Sequence, residues 1–177
     1  VEEIQNFGLN FQKDFMTKPF INEDILSRLF GEKAGFVKET FLQHSHDDIW
    51  EMRPEFDTQR KVEAWFTDKK DEESVEIREK IYALISNVLF VPDRKNPSTY
   101  HPRITVQNDF IFERLNDQEK DAFNRLYNHY YYQRHNQFWY NEAMKKLPML
   151  TQCTSMLVCG EDLGMVPDCV PWVMEQL

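Results

Sequence analysis

Apolar residues at helical spacing limit the fold of this 177-residue chain more than any other feature. Ile77, Ile81, Leu84, Ile85 and Val88 fall at i, i+4, i+7, i+8 and i+11, which is the spacing of one helix face. Glycine occurs only 5 times, well below the usual share of about 7%, which disfavours Gly-rich phosphate loops and propellers. The sequence therefore predicts a mainly α fold with a few short strands.

A second helical region begins after residue 115. Asn116-x-x-Glu119 is similar to a capping box and predicts the start of a long helix. Two side-chain sets follow and are out of phase, so we expect the helix either to bend near His135-Asn136 or to be buried on two faces, and to end at Pro148. The sets are Phe123, Leu126, Tyr127, Tyr130, Tyr131 and Arg134, and then Tyr140, Ala143, Met144 and Leu147.

Turn and cap residues define the other elements. Asn22 is expected to cap a short helix that Gly31 ends, and Asp57 to cap a helix over residues 58–68. Four stretches lack a clear period. They are predicted as an irregular lead-in (1–21), loop or short extended pieces (35–56), loop (92–102) and a short strand (103–107).

The charge balance excludes several classes of partner. The net charge is −9, from 21 basic and 30 acidic residues, so nucleic acid and anionic membranes are poor partners. No apolar run reaches the ~18 residues of a membrane span. The N-terminal Val1-Glu2-Glu3-Ile4 has no features of a secretory signal. We expect both ends to be cuts within a longer protein.

Three cysteines, Cys153, Cys159 and Cys169, lie close together near the C-terminal end. Their number is odd and no C-x-x-C spacing occurs, which disfavours a disulfide framework and a zinc site. Buried reduced thiols in a cytoplasmic protein are expected instead.

Residues 147–172 carry the pattern with the most chemical content, in the order helix, buried strand, acidic tip and helix. Ser155 to Cys159 is a short continuous apolar run, which is typical of a strand buried on both faces, and Pro167 suits the first turn of a final helix. Glu161 and Asp162 follow the run, where polar residues of strand–helix barrels line the active site. Only one of the pair should face a ligand, because neighbouring strand residues point to opposite faces. The alternative is an acidic pair that caps the next helix.

Leu147-Pro148 and the run from Met156 to Pro167, which includes Gly160-Glu161-Asp162-Leu163-Gly164, resemble the 4-α-glucanotransferases of glycoside hydrolase family 77. The resemblance implies a catalytic (β/α)8 barrel, an α-1,4-glucan substrate, retaining chemistry and no cofactor. It assigns Glu161 as the general acid/base and leaves Asp162 a supporting role in the loop. A donating acid must hold its proton, and an apolar strand or a second carboxyl group nearby favours this.

The rest of the chain is similar to a large extra segment found in the long form of this family. Three motifs carry this part of the resemblance: Phe11-Gln12-Lys13-Asp14-Phe15, Arg53-Pro54-Glu55-Phe56 and His101-Pro102-Arg103. The resemblance therefore implies a helical insertion of the catalytic domain in residues 1–146. Residues 147–177 would hold a barrel strand, the acid/base motif and the following helix.

Two of the three carboxylates that the family uses are missing from this sequence. The family's nucleophile is an Asp in an Arg-x-Asp motif, which does not occur in the 177 residues. Ser45-His46-Asp47 is superficially similar to the His-Asp of the third carboxylate, but it precedes Glu161 and lies in the insertion, so we interpret it as coincidence. The chain alone is therefore expected to be inactive. An unpaired strand should also expose apolar surface and favour self-association of the isolated chain.

Two other groups of residues leave alternatives open. His44, His46, Asp47 and Asp48 have metal-ligand chemistry but lack a second cluster, which favours a solvated loop and no metal. Residues 1–146 could instead form a non-catalytic module that binds glucan or a protein, with exposed tryptophans in the glucan case. The aromatic residues that either pack in a core or stack on sugars are Tyr127, Tyr130, Tyr131, Tyr132, Phe138, Trp139 and Tyr140; Trp50 and Trp65 are further indicators.

Overall fold

The computed structural model describes residues 1–161 and 164–177. Helices dominate, which confirms the predicted mainly α class. The helices are α1 (Glu2–Asn6), α2 (Lys13–Thr17), α3 (Glu23–Phe30), α4 (Ala34–Phe41), α5 (Gln59–Phe66), α6 (Glu72–Ile85), α7 (Phe110–Glu113), α8 (Asp117–Asn128), α9 (Asn136–Gln152) and α10 (Cys169–Met174). The strands are β1 (Ile21–Asn22), β2 (Leu42–His46), β3 (Ile49–Met52), β4 (Phe90–Pro92) and β5 (Tyr100–Pro102).

The chain divides into two compact units. The first unit contains Asn10–Asn116 together with Val1, and the second joins Glu2–Leu9 to Asp117–Leu177. Within the described residues, no helix combines the length and apolar character that crossing a membrane requires. The proposed division between residues 146 and 147 concerns the place of the chain in a catalytic domain and stays a prediction.

The core of the first unit lies between helices α3 to α6 and a three-stranded antiparallel sheet in the order β1-β3-β2. Trp50 of the central strand pairs with Ile21 on one side and His44 on the other. Val37, Phe41 and Ile81 are fully buried in this core. The helical spacing thus predicted α6 and the burial of Ile77, Ile81 and Leu84 correctly, while Val88 lies beyond the helix, which ends at Ile85.

A buried amide joins three segments of the first unit. The Asn87 side chain, only 1% exposed, donates from Nδ2 to the Phe20 carbonyl oxygen over 2.8 Å. Its Oδ1 accepts from the Ile111 backbone N–H over 2.8 Å. Because buried backbone groups must find partners, this one side chain fixes the segment before β1 and the start of α7, which are distant in sequence.

The second unit has its core along α8, where Ala122, Phe123 and Leu126 are buried, with Cys169 and Val173 of α10 also buried. The predicted bend is confirmed: α8 ends at Asn128, a π-helical turn covers His129–Gln133, and α9 begins at Asn136. The change of phase between the two side-chain sets therefore marked a real break in the helix.

Several local predictions are confirmed and two need a small correction. Asn22 caps α3 by accepting from the Ile25 N–H over 3.0 Å, and Gly31 ends it with φ of 53°, which suits glycine. The next cap is Thr58, not Asp57, because the Thr58 side chain accepts from the Lys61 N–H.

Pro148 does not end the last long helix as predicted. It lies inside α9, which continues to Gln152. Every residue of α9 is described, and none of them is buried. Proline has no backbone N–H, so one carbonyl group in the preceding helical turn lacks its usual donor, and water can bind to it instead.

The stretches without a clear period were predicted least well. Residues 1–21 contain α1 and α2, whose five residues each are too few to show a period; Ile4 and Met16 are buried there. Residues 35–56 contain most of α4 as well as the β2–β3 hairpin. The region 92–102 includes the paired strand β5, with prolines at positions where β4 and β5 start or stop pairing. Residues 103–107 form a turn leading into a 3₁₀ turn at Val106–Asn108, and no strand.

The corrected cap of α5 gives a test with a matched neighbour. Replacing Thr58 with Ala should lower the free energy of unfolding by about 1 kcal/mol, because the first turn loses its side-chain acceptor. Replacing Asp57 with Ala removes only an exposed ion pair with Lys61 and should cost about 0.5 kcal/mol or less. Urea unfolding of both variants measures the difference. A larger loss for the Asp57 variant would contradict the cap seen in the structure.

Candidate active site

The predicted strand from Ser155 to Cys159 is not formed. The run is irregular, and no strand of the described residues pairs with it. A strand needs a neighbour for its backbone N–H and C=O groups, so apolar sequence alone cannot produce one. Met156 is 76% exposed and Leu157 is 89% exposed. The expected burial on both faces is therefore wrong, while the expected apolar surface is confirmed; self-association remains a prediction.

Glu161 lies at the C-terminal end of this irregular run and is exposed. With Gly160 it lines a cleft of about 550 Å³, whose other wall is formed by the apolar side chains of residues 165–167 and of α10. The carboxyl group therefore sits beside an apolar wall and can reach a ligand that enters the cleft. Asp162, predicted to support the loop, lies outside the described residues.

Two backbone donors tie the chain after Glu161 to the break between α8 and α9. The Asp168 N–H donates to the Tyr132 carbonyl oxygen over 3.0 Å, and the Cys169 N–H donates to Asn136 Oδ1 over 3.2 Å. The start of α10 is thereby positioned by a kink that the sequence analysis located. The anchoring role of Asn136 was not predicted, because the phase change indicates a bend but not what the bend binds.

The histidine-rich segment forms the β2–β3 hairpin and its turn. His44 Nε2 lies 2.8 Å from the Asp47 carbonyl oxygen, and Asp47 has φ of 47°. His46 and Asp48 are exposed. The part of the chain that the structure describes contains no group of three metal-ligating side chains. The hairpin and its turn thus explain why these histidines and aspartates lie close together in the sequence, including those of Ser45-His46-Asp47.

The aromatic indicators give a mixed result. Trp139 is 53% exposed and Phe138 is 57% exposed, whereas Trp50 and Trp65 are half-buried. Of the seven aromatic residues between positions 127 and 140, only Tyr127 is buried. Core packing is therefore correct for Tyr127 and wrong for Phe138 and Trp139.

The cysteine prediction is correct for one residue. Cys169 is buried, while Cys153 and Cys159 are exposed, and all three are free thiols. Cys159 belongs to the irregular run in which the expected strand is missing, whereas Cys153 directly follows α9, a helix without buried residues.

Trp50 of β3 is held in place by a charged hydrogen-bond network. Its Nε1 donates to Glu23 Oε1 over 2.9 Å, and Lys38 Nζ donates to both oxygens of that carboxylate over 3.1 and 3.2 Å. The hydrogen bond from Lys38 is the main reason that the pKa of Glu23 lies below its usual value, with a smaller contribution from Trp50. The carboxylate therefore stays ionised and fixes the orientation of the indole ring.

Comparison with known proteins places these residues in a family. The sequence model of glycoside hydrolase family 77, described as 4-alpha-glucanotransferase, matches residues 40–177, which include Glu161. The chain belongs to this family of carbohydrate-active enzymes. It is 30% identical to the 4-alpha-glucanotransferase DPE2 of Oryza sativa subsp. japonica over 99% of its own length. The chain spans 19% of the length of that relative. No solved structure matches the chain.

Proposed function

We propose that this chain is part of the catalytic domain of a 4-α-glucanotransferase. The match of the family to residues 40–177 is the observation that carries the proposal, because it spans both the helical region and the Glu161 motif. The parent protein would transfer segments of an α-1,4-glucan from one chain to another. Residues 1–146 would form a helical insertion, and residues 147–177 would contribute one strand and one helix to a (β/α)8 barrel.

The irregular run before Glu161 supports the assignment to a barrel. Ser155 to Cys159 has the composition of a strand buried on both faces, yet its side chains are exposed in this chain. Pairing with neighbouring strands of the parent barrel would satisfy its backbone groups and cover Met156 and Leu157. The carboxyl end of that strand would then place Glu161 at the face of the barrel where active sites lie.

Retaining transfer uses two carboxyl groups about 5–5.5 Å apart. Glu161 would protonate the glycosidic oxygen as the bond to the departing chain breaks, while a second carboxylate, supplied by another part of the parent protein, attacks the anomeric carbon. The ionised Glu161 would then take the proton from the hydroxyl of an incoming sugar, which forms the new glycosidic bond. Asp162 would hold the loop by accepting backbone N–H groups.

Comparing two proteins tests this proposal. The full-length parent, incubated with a maltooligosaccharide, should give both shorter and longer products by chromatography. The polypeptide of these 177 residues should give none, because it contains no Arg-x-Asp motif. Hydrolysis without longer products in the parent would contradict transferase activity. Measurable disproportionation by the pure 177-residue polypeptide would contradict the division of the catalytic carboxylates.

A further inference from the structure

A second cleft, remote in sequence from Glu161, lies within the first unit. Its volume of about 640 Å³ is in the range of small-molecule sites, about 300–1,000 Å³. Aromatic and polar side chains line it together: Phe15, Phe20, Trp50, Glu51, Asp57 and Arg114. Strand β3 and the chain around α2 provide four of these residues, while Asp57 lies before α5 and Arg114 directly follows α7.

The aromatic side chains of this cleft have fixed positions. Trp50 is held by Glu23 as described above, and the Lys38 ammonium lies 5.3 Å from the centre of its ring. The Arg114 guanidinium stacks 3.6 Å from the centre of the Phe20 ring and lies 5.4 Å from that of Phe15. A guanidinium stacked in this way keeps N–H donors in its plane for a ligand. A ligand would therefore meet a site that is largely formed in advance, which lowers the ordering cost of binding.

The charges of the cleft favour an uncharged, hydroxyl-rich ligand. Among the described residues that line it, Asp14, Glu51 and Asp57 are acidic, and Lys18 and Arg114 are basic. Because Asp14 pairs with Lys18 and Asp57 pairs with Lys61, the cleft carries little net charge and attracts neither a phosphate-bearing ligand nor a cation strongly. Carboxylates accept from hydroxyl groups and a guanidinium donates to them, so these side chains suit a sugar.

We propose that this cleft is a glucan-binding subsite, in which the hydroxyl groups of a sugar bond to Glu51 and Arg114. The choice of a glucan as ligand rests on the proposed function. The subsite would hold part of a long chain away from the reacting bond. A remote contact of this kind increases the affinity for long substrates without taking part in the chemistry.

A neighbouring cleft of about 450 Å³ next to Trp65 and Phe36 suits a sugar less well. The Lys69 ammonium lies 3.5 Å from the centre of the Trp65 ring and donates to the Trp65 carbonyl oxygen over 2.8 Å. That face of the indole ring is already covered by a cation, so a sugar ring would have to displace it.

The test uses the full-length protein with Glu161→Gln, so that maltoheptaose can bind without being consumed. Hydrogen exchange of the backbone amides of residues 42–57 is followed as maltoheptaose is added. We expect the sugar to protect this hairpin. Glu51→Ala should raise the half-saturating concentration about tenfold or more, the usual effect of losing a hydrogen bond to a charged group.

Glu55→Ala is the matched control, because Glu55 is exposed, lies four residues further along the chain and does not line the cleft. It should leave the half-saturating concentration unchanged. Glu51 is also exposed, so its substitution should leave the fold intact. Equal half-saturation for the Glu51 and Glu55 variants, or protection by a nucleoside triphosphate in place of maltoheptaose, would overturn the inference. If the protein with Glu161 intact transfers glucan but maltoheptaose does not protect the hairpin from exchange, only the subsite is overturned. If maltoheptaose protects the hairpin but the protein with Glu161 intact transfers no glucan, the proposed function is overturned instead.

Discussion

Glu161→Gln in the full-length protein should lower turnover of maltooligosaccharides by about 10²–10⁴-fold, the usual contribution of a general acid/base. Glutamine keeps nearly the same shape but has no proton to give to the glycosidic oxygen. Glu161 is exposed in the chain, so the substitution should leave the fold intact. Turnover on a maltooligosaccharide and thermal unfolding measure the two effects.

The dependence on the leaving group separates acid catalysis from a general loss of activity. A glycosyl fluoride needs little protonation to depart, so the Glu161→Gln variant should recover much of its rate on that donor. Asp162→Asn is the comparison: loss of a loop-supporting carboxylate should impair both donors equally. Near-normal turnover of Glu161→Gln on the oligosaccharide, or recovery by fluoride only in the Asp162 variant, would show that the roles are assigned wrongly.

The largest effect on stability is expected at Phe41 in the core of the first unit. Its side chain is fully buried, and its ring contacts those of Phe56 and Trp65 at 4.9 Å and stacks on Phe66 at 5.8 Å between centres. Phe41→Ala removes this apolar area and leaves a cavity that helices α4 and α5 cannot easily fill. The free energy of unfolding should fall by about 3–5 kcal/mol.

Phe36 provides the matched control for that substitution. It lies one helical turn and a residue earlier in the same helix, but it is 43% exposed. Phe36→Ala should lower the free energy of unfolding by less than about 1 kcal/mol. Urea unfolding measures the free energy of unfolding of both variants, which can be compared directly when that free energy falls with urea concentration at the same slope. Similar losses at both positions would contradict the burial that the structure assigns to Phe41.

Local signals in the sequence were sufficient for the longer helices. The spacing of Ile77, Ile81 and Leu84 predicted the buried side of α6, because a long helix shows its period many times over. The Asn22 cap and the end of α3 at Gly31 were also predicted. A capping side-chain oxygen and a glycine with positive φ each involve only a few neighbouring residues, so the local sequence reveals them. The phase change before α9 located the π-helical turn for the same reason.

Features that depend on contacts between distant parts of the chain could not be predicted from local sequence patterns. Helices α1 and α2 span five residues each, so their burial of Ile4 and Met16 depends on contacts that no local period reveals. Asn87 resembles any surface asparagine in the sequence, yet its amide is buried between Phe20 and Ile111. The cleft that we propose for a glucan also brings together residues from α2 to Arg114, and only the folded first unit makes them neighbours.

The family, the motif that contains Glu161 and the long helices can all be recognised from the amino-acid sequence alone. These follow from residue types at fixed short spacings, and a motif match or a helical period needs no folded neighbour to be recognised. In contrast, the folded chain was needed to show that Ser155 to Cys159 is not a strand here and that Met156 and Leu157 face solvent. A strand forms only when another strand takes its backbone hydrogen bonds, and that partner is a property of the fold rather than of the five residues.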